Sequence, residues 1–497
     1  MKYIDYVQLN PLQRAGYKIK TFFSNLPKNL AKFFVMLGNF FKNLVLGIGH
    51  SFANYGKRFA KGDWATKLSY IVMGAGNASK GQFIKGLLFL LIEAAYIVYM
   101  ITFGSVYISK FGTLGTEEGG FKMVNGRFQN VDGDNSMLIL LYGVMTIVIT
   151  IIFLVFYIAN TKSAYMVQQL KAEGKHIPTF KEDLKAFGDE KFHITLLSFP
   201  CLMIGVFSIL PLIFMILIAF TNYRPPNLAP NALFTWQGLK TFAEVFDSKG
   251  GASMGHTFLV LTEWTIVWAI FATFLNYIMG MIVALMINKK GIKLKSLWRT
   301  LFVVTVAVPQ FVTLLVMNQM LQLNTGAINI ILQNLGMQQI DFINDSALVA
   351  RITVIVINLW VGIPYTILIT TGILMNIPAD LYESATIDGA GPVKSFMKIT
   401  LPYMLFVTTP YLITTFIGNI NNFNVIYLLT NGAPTSEDLY QAGFTDLLVT
   451  WLFKLTMSSQ DYNYAAAIGI LVFIVCATLS LITFNLTKSA KDEEAFS

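Results

Sequence analysis

The residues whose spacing could do work in this chain are mechanical rather than catalytic. Between two long apolar blocks lies the segment Ile377-Pro378-Ala379-Asp380-Leu381-Tyr382-Glu383-Ser384-Ala385-Thr386-Ile387-Asp388-Gly389-Ala390-Gly391-Pro392, followed by Phe396, Ile399, Leu401 and Pro402. Pro378 breaks a preceding helix and Asp380 can cap the next, which runs for about two turns. Gly389-Ala390-Gly391-Pro392 then forces a turn with little side-chain bulk. Val393, Phe396 and Ile399 recur at spacings of three, as on one face of a second short helix. Leu401-Pro402 closes the unit and opens the next apolar block. A helix–turn–helix with a bare corner is a shape that seats in a partner's cleft.

A second set of residues suits a neutral, hydroxyl-rich ligand. One apolar block carries Asn358, Trp360, Gly362 and Tyr365; the next carries Thr414, Thr415 and Asn419, with Asn421 and Asn422 just beyond. Amides and hydroxyls supply hydrogen bonds without charge, and aromatic rings supply a face for stacking. At membrane depth such groups are costly unless they pair between helices or face a cavity. Gly362 is expected to let a ligand ring approach the backbone closely. Glu93 lies inside the first apolar block, where a structural hydrogen bond or a site near the inner half of the bilayer is expected rather than a proton relay.

Other chemistries lack their residues. The chain has no GxxxxGK[ST] phosphate loop, so it is not expected to hydrolyse ATP. Cys201 and Cys476 cannot build a disulfide framework, and His50, His176, His193 and His256 lack metal-ligand spacing. No catalytic residue and no metal site is expected. Met1–Tyr17 is polar and basic with no apolar stretch behind it, unlike a signal peptide.

The elements that must position these groups are membrane helices. Of 497 residues, 55% are hydrophobic and 13% charged, against about a quarter charged in soluble domains. Roughly 20 apolar residues span a bilayer, and eight stretches qualify: Gly86–Ile108, Met137–Ala159, Thr195–Phe220, Trp264–Ile287, Leu301–Leu321, Ile352–Met375, Tyr403–Gly418 and Tyr464–Phe484. With the N-terminus inside, 28 of the 36 Lys and Arg fall in inside segments, which predicts both termini in the cytoplasm. The net charge of +9 therefore reads as topology, not nucleic-acid binding. Phe33–Ile48, interrupted by Asn39, Lys42 and Asn43, is too short and polar to span. It reads as an amphipathic helix on the inner leaflet, where Lys28, Lys32 and Lys42 meet anionic lipid, or as a plain tail.

The segment Glu383–Pro402 resembles the EAA loop of binding-protein-dependent ABC importer permeases, E-A-A-x-x-D-G-A-x-x-x-x-x-F-x-x-I-x-L-P. Glu383, Ala385, Asp388, Gly389, Ala390, Phe396, Ile399, Leu401 and Pro402 match it, and Ser384 departs by one small residue. The stretches Asn421–Pro434, Ala442–Val449 and Tyr464–Ile468 look like the maltose/maltodextrin permeases of the MalF type, and the likeness runs from about Trp264 to the C-terminus.

The resemblance implies an all-α membrane protein of about eight transmembrane helices with the type I importer permease fold. It divides into a basic N-terminal segment (1–85), the first two helices and a linker (86–194), the core permease domain (195–487) with its coupling loop (377–402), and a tail (488–497). It implies a plasma-membrane permease subunit for oligosaccharides, maltodextrin or a galacto-, raffinose- or plant-glycan-derived relative. The implied partners are a second homologous permease of the MalG type, two copies of a cytoplasmic ATPase that uses ATP and Mg, and an external sugar-binding protein. Coupling to the ATPase would fall on Glu383, Ala385, Asp388, Gly389, Ala390, Gly391, Phe396, Leu401 and Pro402. Sugar contacts would fall on Asn358, Val361, Gly362, Tyr365, Thr415, Gly418, Asn419 and Asn422. Val361, Thr415 and Gly418 differ from the family's residues, and Gly418 replaces an aromatic platform with nothing. Residues 221–256 lack the large folded domain of Gram-negative relatives, which suggests a Gram-positive-type importer with a lipid-anchored binding protein. An ion-driven transporter would need acids or histidines in several core helices. A membrane scaffold would need neither the amide cluster nor the Glu383–Pro402 unit.

Overall fold

The computed structural model describes residues 53–486, apart from 125–126, 132, 231, 249–251 and 290, with scattered positions between 35 and 47. The amphipathic helix expected at Phe33–Ile48 and the tail after 487 lie largely outside the described residues.

Among these residues seven helices are long and apolar enough to cross a bilayer. The first four are α1 (Phe83–Lys110), α2 (Ser136–Ala172), α3 (Phe192–Ile218) and α4 (Met254–Asn288). Next, α5 (Lys295–Ala307) and α6 (Gln310–Met320) form a pair bent by 89°, counted together as an eighth span. Then come α7 (Ala347–Leu374), the short α8 (Ala379–Ile387), α9 (Pro392–Ile420), the short α10 (Phe423–Leu429) and α11 (Leu448–Met457), and α12 (Tyr462–Leu486).

The expected eight stretches all fall on these helices, with three local differences. The stretch read as Leu301–Leu321 is broken at Pro309, and Val308 is extended at φ −77°, ψ 124°. A proline ring excludes its predecessor from the helical region, so α5 must end there. The helix read from Tyr403 begins at Pro392, with Pro392 at its first turn. A π turn at Phe396–Thr400 carries the chain past Pro402, which has no N–H to close an α turn. Leu401-Pro402 is thus interior to α9 and does not open it. Third, the 109–136 segment contains a two-stranded antiparallel hairpin, β1 (Gly120–Val124) with β2 (Arg127–Val131), pairing Val124 with Arg127. Asn125-Gly126 between them is the sequence signal for a two-residue hairpin.

The chain forms two compact units. The first comprises residues up to Ser109 and Tyr142–Val206. Its core is unusually polar. Gly74, at φ +83°, lies against Gly86 so closely that an added Cβ would sit 1.9 Å from the Gly86 carbonyl oxygen. Asn160 accepts from the Gly74 N–H at 2.8 Å and donates to the Ser69 carbonyl at 2.9 Å. The buried Lys80 ammonium donates to Asp63 at 3.0 Å and Thr66 at 2.8 Å. Glu93 accepts from the Met73 N–H at 2.8 Å, the structural bond expected of it.

The second unit comprises Lys110–Leu141 and residues from Phe207 onward. Its core gathers Trp264 and Trp268 of α4, Leu314 of α6, Val354 and Ile357 of α7, and Val425, Ile426 and Leu429 of α10. Both indoles keep their polar handle satisfied: Trp264 donates to the Thr445 carbonyl and Trp268 to the Asn419 carbonyl. Helices α4 and α7 approach closely at two glycines. A Cβ on Gly280 would lie 2.5 Å from the Thr366 Cβ, and one on Gly362 would lie 2.3 Å from the Asn276 amide nitrogen.

Candidate functional site

A cavity of about 230 Å³ opens in the second unit among α4, α6, α7 and α9. Helix α7 lends it Asn358, Val361, Gly362 and Tyr365, one per turn or adjacent, as a helical face dictates. Helix α9 lends Tyr411, Thr415 and Asn419, again at spacings of four, and Asn422 lies just past the end of α9. Helix α4 adds Thr273, Asn276 and Tyr277, around a π turn at Phe271–Leu275. Such turns insert a residue and re-aim the side chains beyond it, and they concentrate at functional sites. Gln310 reaches the cavity because Pro309 breaks the α5–α6 span directly before it.

Seven of the eight residues assigned to sugar contact therefore line one space: Asn358, Val361, Gly362, Tyr365, Thr415, Asn419 and Asn422. Gly418 is not among the lining residues, and a Cβ placed on it meets nothing within 4 Å. Of the other candidates, Trp360 is exposed on another face, Thr414 donates to the Pro410 carbonyl, and Asn421 to the Ile417 carbonyl.

Hydrogen bonding sorts the seven. Asn419 donates to Thr273 at 2.9 Å and accepts from Asn422 at 3.3 Å. Asn422 also caps α10, accepting from the Val425 N–H. These two amides are committed to the protein. The side chains of Asn358, Tyr365 and Thr415 make no hydrogen bond to described residues, and neither do those of Gln310 and Tyr411. Gly362 has a different use from the one expected. Its Cα is covered by the Asn276 amide, so the glycine serves the α4–α7 contact and leaves no room for a ring against the backbone. Asn276 donates to the Ala272 carbonyl, while its own Oδ1 is buried without a partner. Thr273, Asn276, Tyr277, Gln310 and Tyr411 were missed by the sequence reading. The broken span at Pro309 was the available signal for Gln310; the π turn left none.

A larger groove of about 560 Å³ between α4 and α7 is lined mainly by Val260, Trp264, Phe271, Ile352 and Leu359. Glu263 and Arg351 are its charged residues, and the Arg351 guanidinium already lies 4.6 Å over the Trp264 ring and donates to the Phe444 carbonyl. Its walls offer few free hydrogen bonds to a polyol.

The elbow between α7 and α9 has the expected corner. Helix α8 ends in a Schellman closure: Ala390 N–H to the Ala385 carbonyl at 2.8 Å, Gly389 N–H to the Thr386 carbonyl at 3.0 Å. That closure requires Gly389 at φ +73°, and open space surrounds it. Pro378, not Asp380, occupies the N-cap position; Asp380 sits in the first turn, where it favours the helix dipole without capping. Tyr382 and Thr400 hydroxyls bond at 2.8 Å across the elbow. Ile387 and Val393, 86% and 76% exposed, flank the bare corner. Glu383 and Ala385 thus lie on α8, and Asp388, Gly389, Ala390 and Gly391 form the corner that follows it. Phe396, Leu401 and Pro402 lie in the continuous helix that leads from that turn to Thr415 and Asn419.

Comparison with known proteins decides the family. Residues 276–490 match the family described as the binding-protein-dependent transport system inner membrane component. The galactooligosaccharides transport system permease protein GanP of Bacillus subtilis is 35% identical, over 85% of this chain and 97% of that protein. The maltodextrin transport system permease protein MdxF of the same organism is 34% identical, over 85% of this chain and 95% of that protein. The chain belongs to the ABC importer permeases. Such permeases are transport components, not enzymes, and the multi-pass helical architecture agrees. The solved structure of a bacterial alginate ABC transporter, in complex with an alginate pentasaccharide-bound periplasmic protein, shares the permease fold. Its TM-score is 0.51 at 20% identity, over 61% of this chain and 96% of that chain. The family match in this permease takes in both the elbow and the cavity from Asn276 onward.

Proposed function

We propose that this permease passes an oligosaccharide, maltodextrin or a galacto-, raffinose- or plant-glycan-derived relative, through the α4–α6–α7–α9 cavity. The observation that carries the reading is that cavity's chemistry: uncharged amides and hydroxyls with uncommitted hydrogen bonds, beside the rings of Tyr365 and Tyr411. A polyol needs that combination, and among the described residues no charged side chain lines the space. The names of GanP and MdxF, a galactooligosaccharide and a maltodextrin permease, support the same class.

In this reading a second homologous permease completes the pathway, and an external, lipid-anchored binding protein of the Gram-positive type delivers the sugar. Both termini face the cytoplasm, as the placement of Lys and Arg indicates. Two copies of a cytoplasmic ATPase use ATP and Mg, and one docks on the Gly389 corner through Ile387 and Val393. Closure of the ATPases tilts the elbow. Because α9 runs unbroken from Pro392 to Ile420, the elbow moves Thr415 and Asn419 as a rigid lever.

The test is sugar uptake and sugar-stimulated ATPase activity of the reconstituted complex, across gluco-, galacto- and fructo-oligosaccharides. Gly389→Asp keeps the left-handed backbone tolerable and places charge on the corner. Uptake is expected to vanish while the protein stays in the membrane; normal uptake would refute docking at the corner. Tyr365→Ala is expected to weaken transport without releasing the ATPase, and dissociation of the complex would make Tyr365 structural instead.

A further inference from the structure

The polar-cored part of the first unit carries an outer surface that the transport reading does not use. Residues 53–61 are helical, and a short helix, Trp64–Leu68, comes next. The buried side of residues 63–80 is braced internally by the Asp63–Lys80 pair and is fixed to α2 by Asn160 and to α1 by Glu93. The outward side is apolar: Trp64 is 74% exposed and Ile71 76%, with Phe59, Leu68 and Val72 beside them in sequence and also exposed. The apolar exposure continues onto Phe83, Ile84 and Leu87 at the start of α1, residues a membrane helix gives to lipid. Tyr55, Tyr70 and Tyr157 cluster here, with the Tyr55 and Tyr157 hydroxyls 3.0 Å apart. Aromatic rings of this kind mark membrane–water boundaries.

The charge is one-sided. Residues 53–80 hold Lys57, Arg58, Lys61, Lys67 and Lys80 against a single acid, Asp63. Lys80 is the ion-pair partner of that acid. No described ion pair engages the other four cations.

We infer that residues 53–80 form a rigid wedge on the anionic surface of the membrane. Trp64 and Ile71 enter the headgroup–acyl boundary, and Lys57, Arg58, Lys61 and Lys67 bind phospholipid headgroups. An apolar face with a basic rim is the signature of an interfacial element, and the internal polar bonds hold this one at fixed depth. Placement on the cytoplasmic leaflet rests on the proposed inside-facing N-terminus.

The assembled importer is tested in lipid vesicles. Cys201→Ser and Cys476→Ala remove the native thiols, and a fluorescent NBD probe is attached at Ile71→Cys, at Trp64→Cys in a second protein, and at Lys175→Cys as a loop control. The probes at 71 and 64 should be quenched by brominated phospholipid and shielded from aqueous iodide relative to 175. Brominated phosphatidylglycerol should quench better than brominated phosphatidylcholine. Replacing Lys57, Lys61 and Lys67 by Gln should shrink that preference by about five-fold per lysine, the equivalent of about 1 kcal/mol for each basic residue near an anionic surface. Iodide access at 71 and 64 equal to that at 175 would overturn the wedge. So would shielding that appears only when the partner subunits are present, since the surface would then be a protein contact. An equal response to the two lipids would overturn the headgroup binding. An impermeant maleimide reaching Lys175→Cys from outside would reject the inside-facing reading, while the quenching data still decide the lipid contact.

Discussion

Two regions of this permease place polar side chains among apolar helices, and they differ in where the hydrogen bonds go. In the first unit the Asn160 and Glu93 side chains and the Lys80 ammonium close onto named backbone or side-chain partners. In the cavity of the second unit, Asn358, Tyr365, Thr415, Gln310 and Tyr411 make no hydrogen bond to described residues. A polar group in a membrane helix is costly when unpaired. The first set offsets that cost within the fold. The second set must offset it with water or a ligand, which is why an uncommitted amide marks a binding surface and a committed one marks architecture. Asn419 and Asn422 show that the boundary runs through the cavity wall, since they line it but are bonded to Thr273, to each other and to the α10 backbone.

The contrast breaks most visibly at Lys80. Lys80→Met leaves Thr66 and Asp63 without their buried donor. Breaking such a pair costs about 3–5 kcal/mol when both partners are buried. The Asp63 side chain is 40% exposed and can rehydrate, so we expect a loss of about 2 kcal/mol. The measurement is the thermal inactivation of the assembled complex, alongside uptake per folded molecule. Stability should fall with transport unchanged; a specific transport defect at full stability would move Lys80 to the functional side.

A pair of substitutions sharpens the line within the cavity. Asn358→Ala should leave stability within about 0.5 kcal/mol and raise the sugar concentration for half-maximal uptake by about ten-fold, one hydrogen bond's worth. Asn419→Ala should do the reverse in part: it strands Thr273 and Asn422 and costs about 1–2 kcal/mol of stability. Equal stability losses in the two variants would show that hydrogen-bond commitment does not separate scaffold from site.

Much of this was legible in the sequence for physical reasons. Long apolar runs have one solution in lipid, so seven spans could be read directly, and the eighth stretch is the α5–α6 pair broken at Pro309. The elbow could be read because Pro, Gly and a fixed apolar spacing dictate local geometry with no help from tertiary contacts. The face Asn358–Val361–Gly362–Tyr365 was legible because helical spacing alone places those residues together. What escaped depended on contacts between distant segments. Asn276 covering Gly362 brings together residues from two helices, and no pattern in either announces the pairing. The π turns at Phe271–Leu275 and Phe396–Thr400 change register by one residue, which a periodicity too short to count cannot reveal. The β1–β2 hairpin is different: Asn125-Gly126 was a plain signal, overshadowed by an apolar composition that favours helices everywhere else.

The smallest expected effect lies in the same first-unit lock and depends on pH. Burial alone would raise the Asp63 carboxyl, but the Thr66 N–H, the Lys80 ammonium and the Thr66 hydroxyl outweigh it and hold it below its ordinary value of 3.8. A group depressed in the folded state adds stability above its unfolded pKa, and that increment disappears as pH falls through the folded value. The contribution of Asp63 should therefore be complete at neutral pH and fade only below about 3.8, the reference value for the free side chain. Comparing wild type with Asp63→Asn by thermal midpoint makes the check. The difference between the two should stay constant from neutral pH down to that point and then narrow. A difference that stayed constant through that point would mean that Lys80 is held mainly by Thr66, and that the carboxylate is a bystander to the lock.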